Sequence, residues 1–272
     1  MATLVCFHAH PDDEAIGTGG IMALAAGAGH RVVLVCATRG ERGEIQPGVL
    51  DEGEQLALRR TAEVHRSAEA LGVARVEFLG YVDSGMMGEA TNDEPWTFWR
   101  ADVGSAAHRL AVILTEEGAD ALTVYDDHGG YGHPDHIQVH RVGMRAAELA
   151  GVPRVLEGTI NRTAITRMIE LQRSGAGGFE LPEGVQPPDP EEMDLGVPEE
   201  LLTHVADVSA AVGAKRASLL AHRSQVADDH FFLAMPEAVF AAVMGTEWFI
   251  GHGPVDDDGS PLRGIVAPFT AA

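Results

Sequence analysis

The sequence predicts an α/β fold: a mostly parallel sheet flanked by helices, with a smaller α+β extension at its C-terminal end. Three observations carry this expectation. Short apolar runs alternate with longer stretches of helix formers over the first 160 residues. Those stretches are long enough to cross a sheet and return the chain to a parallel neighbour. The runs themselves are apolar throughout rather than alternating with polar residues, as strands covered on both faces are.

In order along the chain, Leu4–Ala9 is the first compact apolar run, and Gly17–Gly29, rich in Ala, Leu and Met between glycines, reads as a helix. Arg31–Ala37 is a β-branched run suited to a buried strand. Glu52–Leu71 carries strong helix formers and ends at Gly72, a plausible C-cap. Val76–Leu79 is a short strand, Asp102–Glu117 a helix, and Ala121–Tyr125 a strand. Pro134–Leu149 is a helix with proline in its first turn, and Arg154–Ile160 is a fifth strand. Residues 1–160 thus form a Rossmann-like core, and residues 161–272 an extension packed onto it as part of one domain. Within the extension, Ser174–Glu200 is rich in Gly, Pro and acids and reads as a long mobile loop. Ala210–Ser224 and Pro236–Met244 read as helices, Trp248–Ile250 as a terminal strand, and the tail from Asp256 as loose, with Ile265–Phe269 able to dock. No internal repeat is present.

Composition bounds the function class. With 272 residues, 45% of them apolar, the chain can bury a core without disulfides. Cys6 and Cys36 fall in strand-like runs and read as small buried hydrophobes, too few for a Cys-rich zinc site. Nineteen Lys and Arg against 41 Asp and Glu give a formal charge of −22, which disfavours nucleic acid and anionic membranes as partners. No apolar run approaches the roughly 20 residues that cross a bilayer. The N-terminus runs directly into Thr3–His8 without a basic region or cleavage site, which reads as a cytoplasmic protein with no signal peptide. A small molecule is the expected partner. The oligomeric state is open, a homo-oligomer included.

Two motifs carry chemistry, and each follows a predicted strand directly. His10-Pro11-Asp12-Asp13-Glu14 offers an imidazole and adjacent carboxylates, which can supply two ligands to one metal and leave a third group free to act on a bound water. Helix capping explains one such acid but not the whole set. His133-Pro134-Asp135-His136 follows Asp126-Asp127-His128-Gly129-Gly130-Tyr131-Gly132, a glycine-rich bend at the end of the fourth strand. Parallel topology puts both strand ends on one edge of the sheet, where ligands gather. The nitrogen and oxygen donors suit zinc or iron(II), one ion per chain.

Together the motifs resemble the PIG-L/LmbE family of zinc deacetylases, over roughly residues 3 to 160. That family includes de-N-acetylases of N-acetylglucosamine conjugates and amidases of thiol conjugates. The resemblance implies hydrolysis of an amide by a metal-activated water, with de-N-acetylation of an N-acetylglucosamine-containing conjugate foremost. It implies His10, Asp13 and His136 as metal ligands and Asp12 as general base. His133 would face the oxyanion and help protonate the leaving amine, with Asp135 orienting or tuning His133. Tyr131 resembles a mobile active-site tyrosine. Glu41, in Thr38-Arg39-Gly40-Glu41, Arg60 and Asp83 resemble substrate contacts. His128 and His140 are expected to stand behind the site or at the surface rather than to line it. His222-Arg223-Ser224-Gln225 looks like a short C-terminal segment common in these enzymes, with no assigned role.

Other classes compete. A thiol-conjugate amidase uses the same residues. A non-catalytic metal-binding Rossmann-like protein has no need of both Asp12 and His133, and no Gly-x-Gly-x-x-Gly follows the first strand. A two-metal phosphoesterase wants more bridging carboxylates.

Overall fold

Eight strands form one sheet in the order β3-β2-β1-β4-β5-β7-β6-β8. The computed structural model describes residues 1–174, 194–227 and 230–270. β1 (Thr3–His8), β2 (Arg31–Cys36), β3 (Arg75–Phe78), β4 (Ala121–Tyr125) and β5 (Arg154–Thr159) are mutually parallel. β7 (Thr246–His252) lies antiparallel to β5, β6 (His204–Asp207) antiparallel to β7, and β8 (Ala267–Pro268) antiparallel to β6. The extension therefore continues the sheet instead of forming one of its own.

Both sheet faces are dry, which explains the continuous apolar runs. Val5, Phe7, Val33, Val35 and Val124 point to one face and pack against Leu110 of α4 (Val103–Glu117) and Val139 and Val142 of α6 (Pro134–Ala150). Leu4, Cys6, Val32 and Leu34 point to the other. There they meet Ile21 and Met22 of α2 (Gly19–Gly27) and Val64 and Leu71 of α3 (Leu56–Leu71). Each fully buried side chain of this size contributes about 1.5–3 kcal/mol. A third cluster joins Ala15 to α8 (Val212–Ala221) and α10 (Glu237–Met244) through Leu219, Phe240 and Met244.

The local signals act as chemistry predicts. Asp102 caps α4, accepting from Ser105 N at 2.8 Å. Gly72, at φ 71°, ends α3. The helix expected over Gly17–Gly29 is α2; a separate short helix, α1 (Asp13–Gly17), precedes it, and Thr18, at φ −139° with its hydroxyl 2.7 Å from His8 Nε2, divides the two. Two expectations need correction. The tail from Asp256 is not loose before its docking end: Leu262 is buried, and β8, inside the Ile265–Phe269 stretch expected to dock, pairs with β6. Trp248–Ile250 belongs to a longer strand inside the sheet, not a terminal one. Sequence reading also passed over β6 and α7 (Arg162–Arg173). Most of the expected Ser174–Glu200 loop lies outside the described residues. Among the described residues, no helix is long and apolar enough to cross a membrane.

Strand order reverses between β1 and β4, which are direct neighbours: Leu4 pairs with Ala121, Val5 with Leu122 and Cys6 with Thr123. Open α/β sheets bind ligands at the carboxyl ends of strands flanking such a reversal. Both chemical motifs begin at those two ends.

Candidate metal centre

The first motif turns sharply as it leaves β1. Asp12 has φ 107° and ψ −29°, one of two non-glycine residues with positive φ among those described. Such a conformation costs on the order of 1–3 kcal/mol and persists only where its surroundings enforce it. The turn lets Asp13 open α1 and fold back, so that its Oδ2 accepts the His10 backbone N–H at 2.8 Å.

The second motif leaves β4 through a kinked turn, α5 (Gly129–Gly132), which places His133 just before α6. Gly129 has φ 72°, and a Cβ there would lie 2.8 Å from His136 Cβ, so glycine is required for the chain to pass. Asp126 is fully buried and ties the turn down, accepting Gly130 N at 2.8 Å and the Thr159 hydroxyl.

Three imidazoles meet between the motifs. His10, His133 and His136 are buried and offer nitrogens within 4.8 Å of one another. Hydrogen bonds decide which of those nitrogens carry lone pairs. His136 Nδ1 donates to the Gly129 carbonyl at 3.2 Å, leaving Nε2 as a bare acceptor. That Nε2 is buried without a hydrogen-bond partner and stands 3.4 Å from Asp13 Oδ1. His10 Nε2 donates to Asp135 Oδ2 at 3.1 Å, so the lone pair is on Nδ1, 3.4 Å from Asp13 Oδ2. His133 Nδ1 accepts the Asp135 N–H at 3.1 Å, which puts its proton on Nε2.

These donors fit a divalent cation. Ligands at about 2.0–2.1 Å in a tetrahedron stand roughly 3.3 Å apart, close to the two 3.4 Å separations around Asp13. The set His10 Nδ1, Asp13 and His136 Nε2 thus presents free lone pairs, whereas a set of three histidines would spend the protonated nitrogen of His133. A second group, His10 with Asp83 and Asp135, also lies within 4.8 Å. It is better read as support, because Asp135 already accepts from Ser84 N at 2.9 Å and from the Ser84 hydroxyl. A carboxylate on the far nitrogen of a metal-binding imidazole fixes its tautomer and raises its basicity.

Electrostatics agree. Burial alone would raise the Asp13 carboxyl, but His136 and His10 overturn this and hold it well below the usual range, ready as an anionic ligand. Burial would lower His10, and the carboxylates of Asp83, Asp13 and Asp135 pull it well above its ordinary value: a cation is wanted here. Burial, then His10 and His136, push His133 down to about 4, so it is a neutral donor near pH 7. Burial raises the Asp12 carboxyl, Arg60 opposes that rise, and Asp13 adds to it.

The remaining expected residues fall into two groups. Asp83 is buried 3.5 Å from His10 Nε2, and Glu41 accepts the Asp83 backbone N–H at 3.1 Å. Tyr131 is 44% exposed, its ring T-shaped to those of His133 and His136 at centroid distances of 6.1 and 5.0 Å. Two residues stand differently from expectation. Arg60 is buried beneath the first motif, with Nη1 on the Gly40 carbonyl at 2.9 Å and Nη2 on the Pro11 carbonyl and 3.1 Å from Asp12 Oδ2. Its guanidinium is therefore spent on the first motif's backbone and on Asp12. Asp135 meets His133 through its backbone N–H, while its carboxylate turns to His10 and Ser84. His128 reaches Asp194 at 3.2 Å, and His140 donates to the Tyr125 carbonyl at 3.1 Å, both away from the ligand nitrogens.

Sequence reading missed Ser84, Tyr125 and His8. Tyr125 stacks on His136 with ring centroids 4.2 Å apart, and its hydroxyl meets His8 Nδ1 at 2.9 Å. An aromatic residue ending the strand before the second motif was the available signal for Tyr125; nothing local marked the other two. Replacing Asp135 with asparagine is expected to weaken metal affinity by about 10–100-fold. Competition with a chromogenic chelator checks this.

The chain is similar to known deacetylases. The PIG-L family pattern, described as GlcNAc-PI de-N-acetylase, matches residues 5–147. A 1D-myo-inositol 2-acetamido-2-deoxy-alpha-D-glucopyranoside deacetylase of Thermomonospora curvata is 41% identical, over 93% of this chain and 92% of its own. A protein of the same description from Thermobifida fusca is 40% identical, over 96% and 95%. Among solved structures, the N,N'-diacetylchitobiose deacetylase of Pyrococcus horikoshii superposes with a TM-score of 0.59 at 21% identity, covering 92% of this chain and 84% of that one, a likeness of fold.

Proposed function

This chain belongs to the PIG-L family of de-N-acetylases, and from that premise we propose that it removes the N-acetyl group from 1D-myo-inositol 2-acetamido-2-deoxy-α-D-glucopyranoside, using one zinc ion held by His10, Asp13 and His136. Hydrolysis of the acetamide of an N-acetylglucosamine conjugate is the reaction of this chain, as the descriptions of its relatives support. The observation that carries the finer reading is the pairing of two buried imidazole lone pairs around Asp13 with a neighbouring carboxylate, Asp12, that is not among the ligands.

An amide needs a nucleophile, a stabilised oxyanion and a protonated leaving amine. A divalent cation in this site supplies Lewis acidity and brings the pKa of water toward about 7. Asp12 takes the proton of the attacking water. Its Oδ2 is held by Arg60 at 3.1 Å, leaving Oδ1 to the water. Burial raises the Asp12 carboxyl, which makes it a stronger base toward that water, and the proton it takes passes on to the leaving nitrogen. His133 donates Nε2–H to the oxyanion as a neutral imidazole and needs no proton from solvent to do so. Asp135 and Ser84 hold His10 in the tautomer that presents Nδ1. Asp83, with Glu41 behind it, offers carboxylate acceptors to sugar hydroxyls at the mouth. Tyr131, on its glycine turn, is free to swing over the bound acetamide.

Acetate release from a panel of N-acetylglucosamine conjugates and one larger-acyl amide tests the substrate. The expected result is the highest kcat/KM on the inositol glycoside. A higher value on a thiol conjugate or on the larger acyl group would overturn the substrate assignment while keeping the reaction class.

A further inference from the structure

His222-Arg223-Ser224-Gln225 plays no part in the steps above, and Glu14 touches no reacting atom, yet the two meet in the interior. His222 Nε2 lies 2.6 Å from Glu14 Oε1, and both side chains are fully buried. The same carboxylate accepts the Ser67 hydroxyl through Oε1 and, through Oε2, the backbone N–H of Asp12 at 2.9 Å. Ser67 is braced in turn by Ser218 at 2.7 Å. His222 has no hydrogen-bond partner at Nδ1, so its polar contact is spent on Glu14.

One face of α3 organises the brace. Arg60, Glu63 and Ser67 recur at helical spacing and are all buried. Arg60 holds the Asp12 carboxylate at 3.1 Å, Ser67 holds Glu14, and Glu63 accepts Ser224 N at 2.9 Å and Ser224 Oγ at 2.6 Å. Asp12 is thus gripped at its carboxylate from one side and at its backbone from the other. That backbone is the left-handed one, at φ 107°. Rotation about φ would swing the carboxylate off the water it must deprotonate. A network that only glued α8 to α3 would have no reason to end on the N–H of this residue.

We propose that His222, acting through Glu14, is a positioning residue that locks the left-handed backbone at Asp12 and so aims the general base. The inference rests on Asp12 being that base. Displacement of a catalytic group by about 1 Å costs on the order of 100-fold in rate. His222→Leu, which removes the donor and keeps an apolar volume, is therefore expected to lower kcat by about 10- to 100-fold. KM should stay within about twofold and metal at one per chain, because neither substrate contacts nor ligands move. His222→Gln restores a donor to Glu14 and is expected to recover most of the loss. Ser67→Ala removes a weaker part of the brace and gives a smaller kcat loss with the same unchanged KM, so the test survives a His222→Leu chain that fails to fold. Asp12→Ala is run beside them. Inactive Asp12→Ala with His222→Leu or Ser67→Ala at wild-type kcat overturns the positioning role alone. So does a loss that falls on KM, or that Gln fails to rescue. Wild-type kcat in Asp12→Ala overturns the base assignment and the positioning role with it.

Discussion

Asp12→Ala is expected to lower kcat by about 10²–10⁴-fold, the range of a lost general base, while the chain still binds one metal. The geometry makes the two readouts separable. Asp12 Oδ2 is 3.1 Å from the Arg60 guanidinium, whereas the oxygens that face His10 Nδ1 and His136 Nε2 belong to Asp13. The adjacent carboxylates therefore stand in different surroundings, although the sequence presents them as near equivalents. Alanine at position 12 also leaves a β-carbon at φ 107°, so the variant keeps the backbone strain and Glu14 still accepts its N–H. Metal content by atomic emission, with kcat from acetate release, checks the pair of expectations. Loss of metal in Asp12→Ala together with its retention in Asp13→Ala would reverse the two roles.

The second large effect is expected at His136. Its Nε2 is a buried lone pair without a partner beside Asp13, and its Nδ1 is committed to the Gly129 carbonyl. In the proposed site, His136→Ala removes a ligand. The loss of metal affinity should exceed the 10–100-fold typical of a lost supporting group, and activity at limiting zinc should fall with it. Excess zinc is expected to restore only part of the rate, since the remaining donors no longer fix the ion against Asp13. The fold should survive: β1, β4 and α6 are held by Phe7, Leu122, Val139 and Val142, which pack away from the site. Full activity in His136→Ala at one zinc per chain would remove it from the ligand set.

The sequence exposes much of this architecture because the parallel core obeys local rules. Runs such as Arg31–Ala37 read as strands since both their faces are apolar, and Gly72 marks the end of α3 as an αL cap. Two ligand-rich motifs, each directly after a strand, needed only a shared sheet edge to meet, and the pairing of β1 with β4 supplies it. What stayed hidden depends on contacts between distant segments. Thr18 breaks the first helix because His8, ten residues earlier, takes its hydroxyl. β6 spans four residues and exists because β7 and β8 flank it, too short for a pattern of its own. Arg60 reads as a substrate contact until α3 is seen to lie under Pro11 and Asp12. Proximity in sequence assigns Asp135 to His133, yet its carboxylate crosses to His10, 125 residues away. Ser84, whose hydroxyl fixes that carboxylate, carries no signal a sequence reader could weigh.

One metal ion, bound between the ends of β1 and β4, is proposed to enable this chain to cleave an acetamide. The decisive measurement is acetate release from the inositol glycoside as metal-free protein is titrated with zinc. No release is expected without zinc, followed by a rate that climbs in proportion to added metal and a plateau at one equivalent per chain. A plateau at two equivalents, or no acetate from protein shown to hold one zinc, would contradict the proposal.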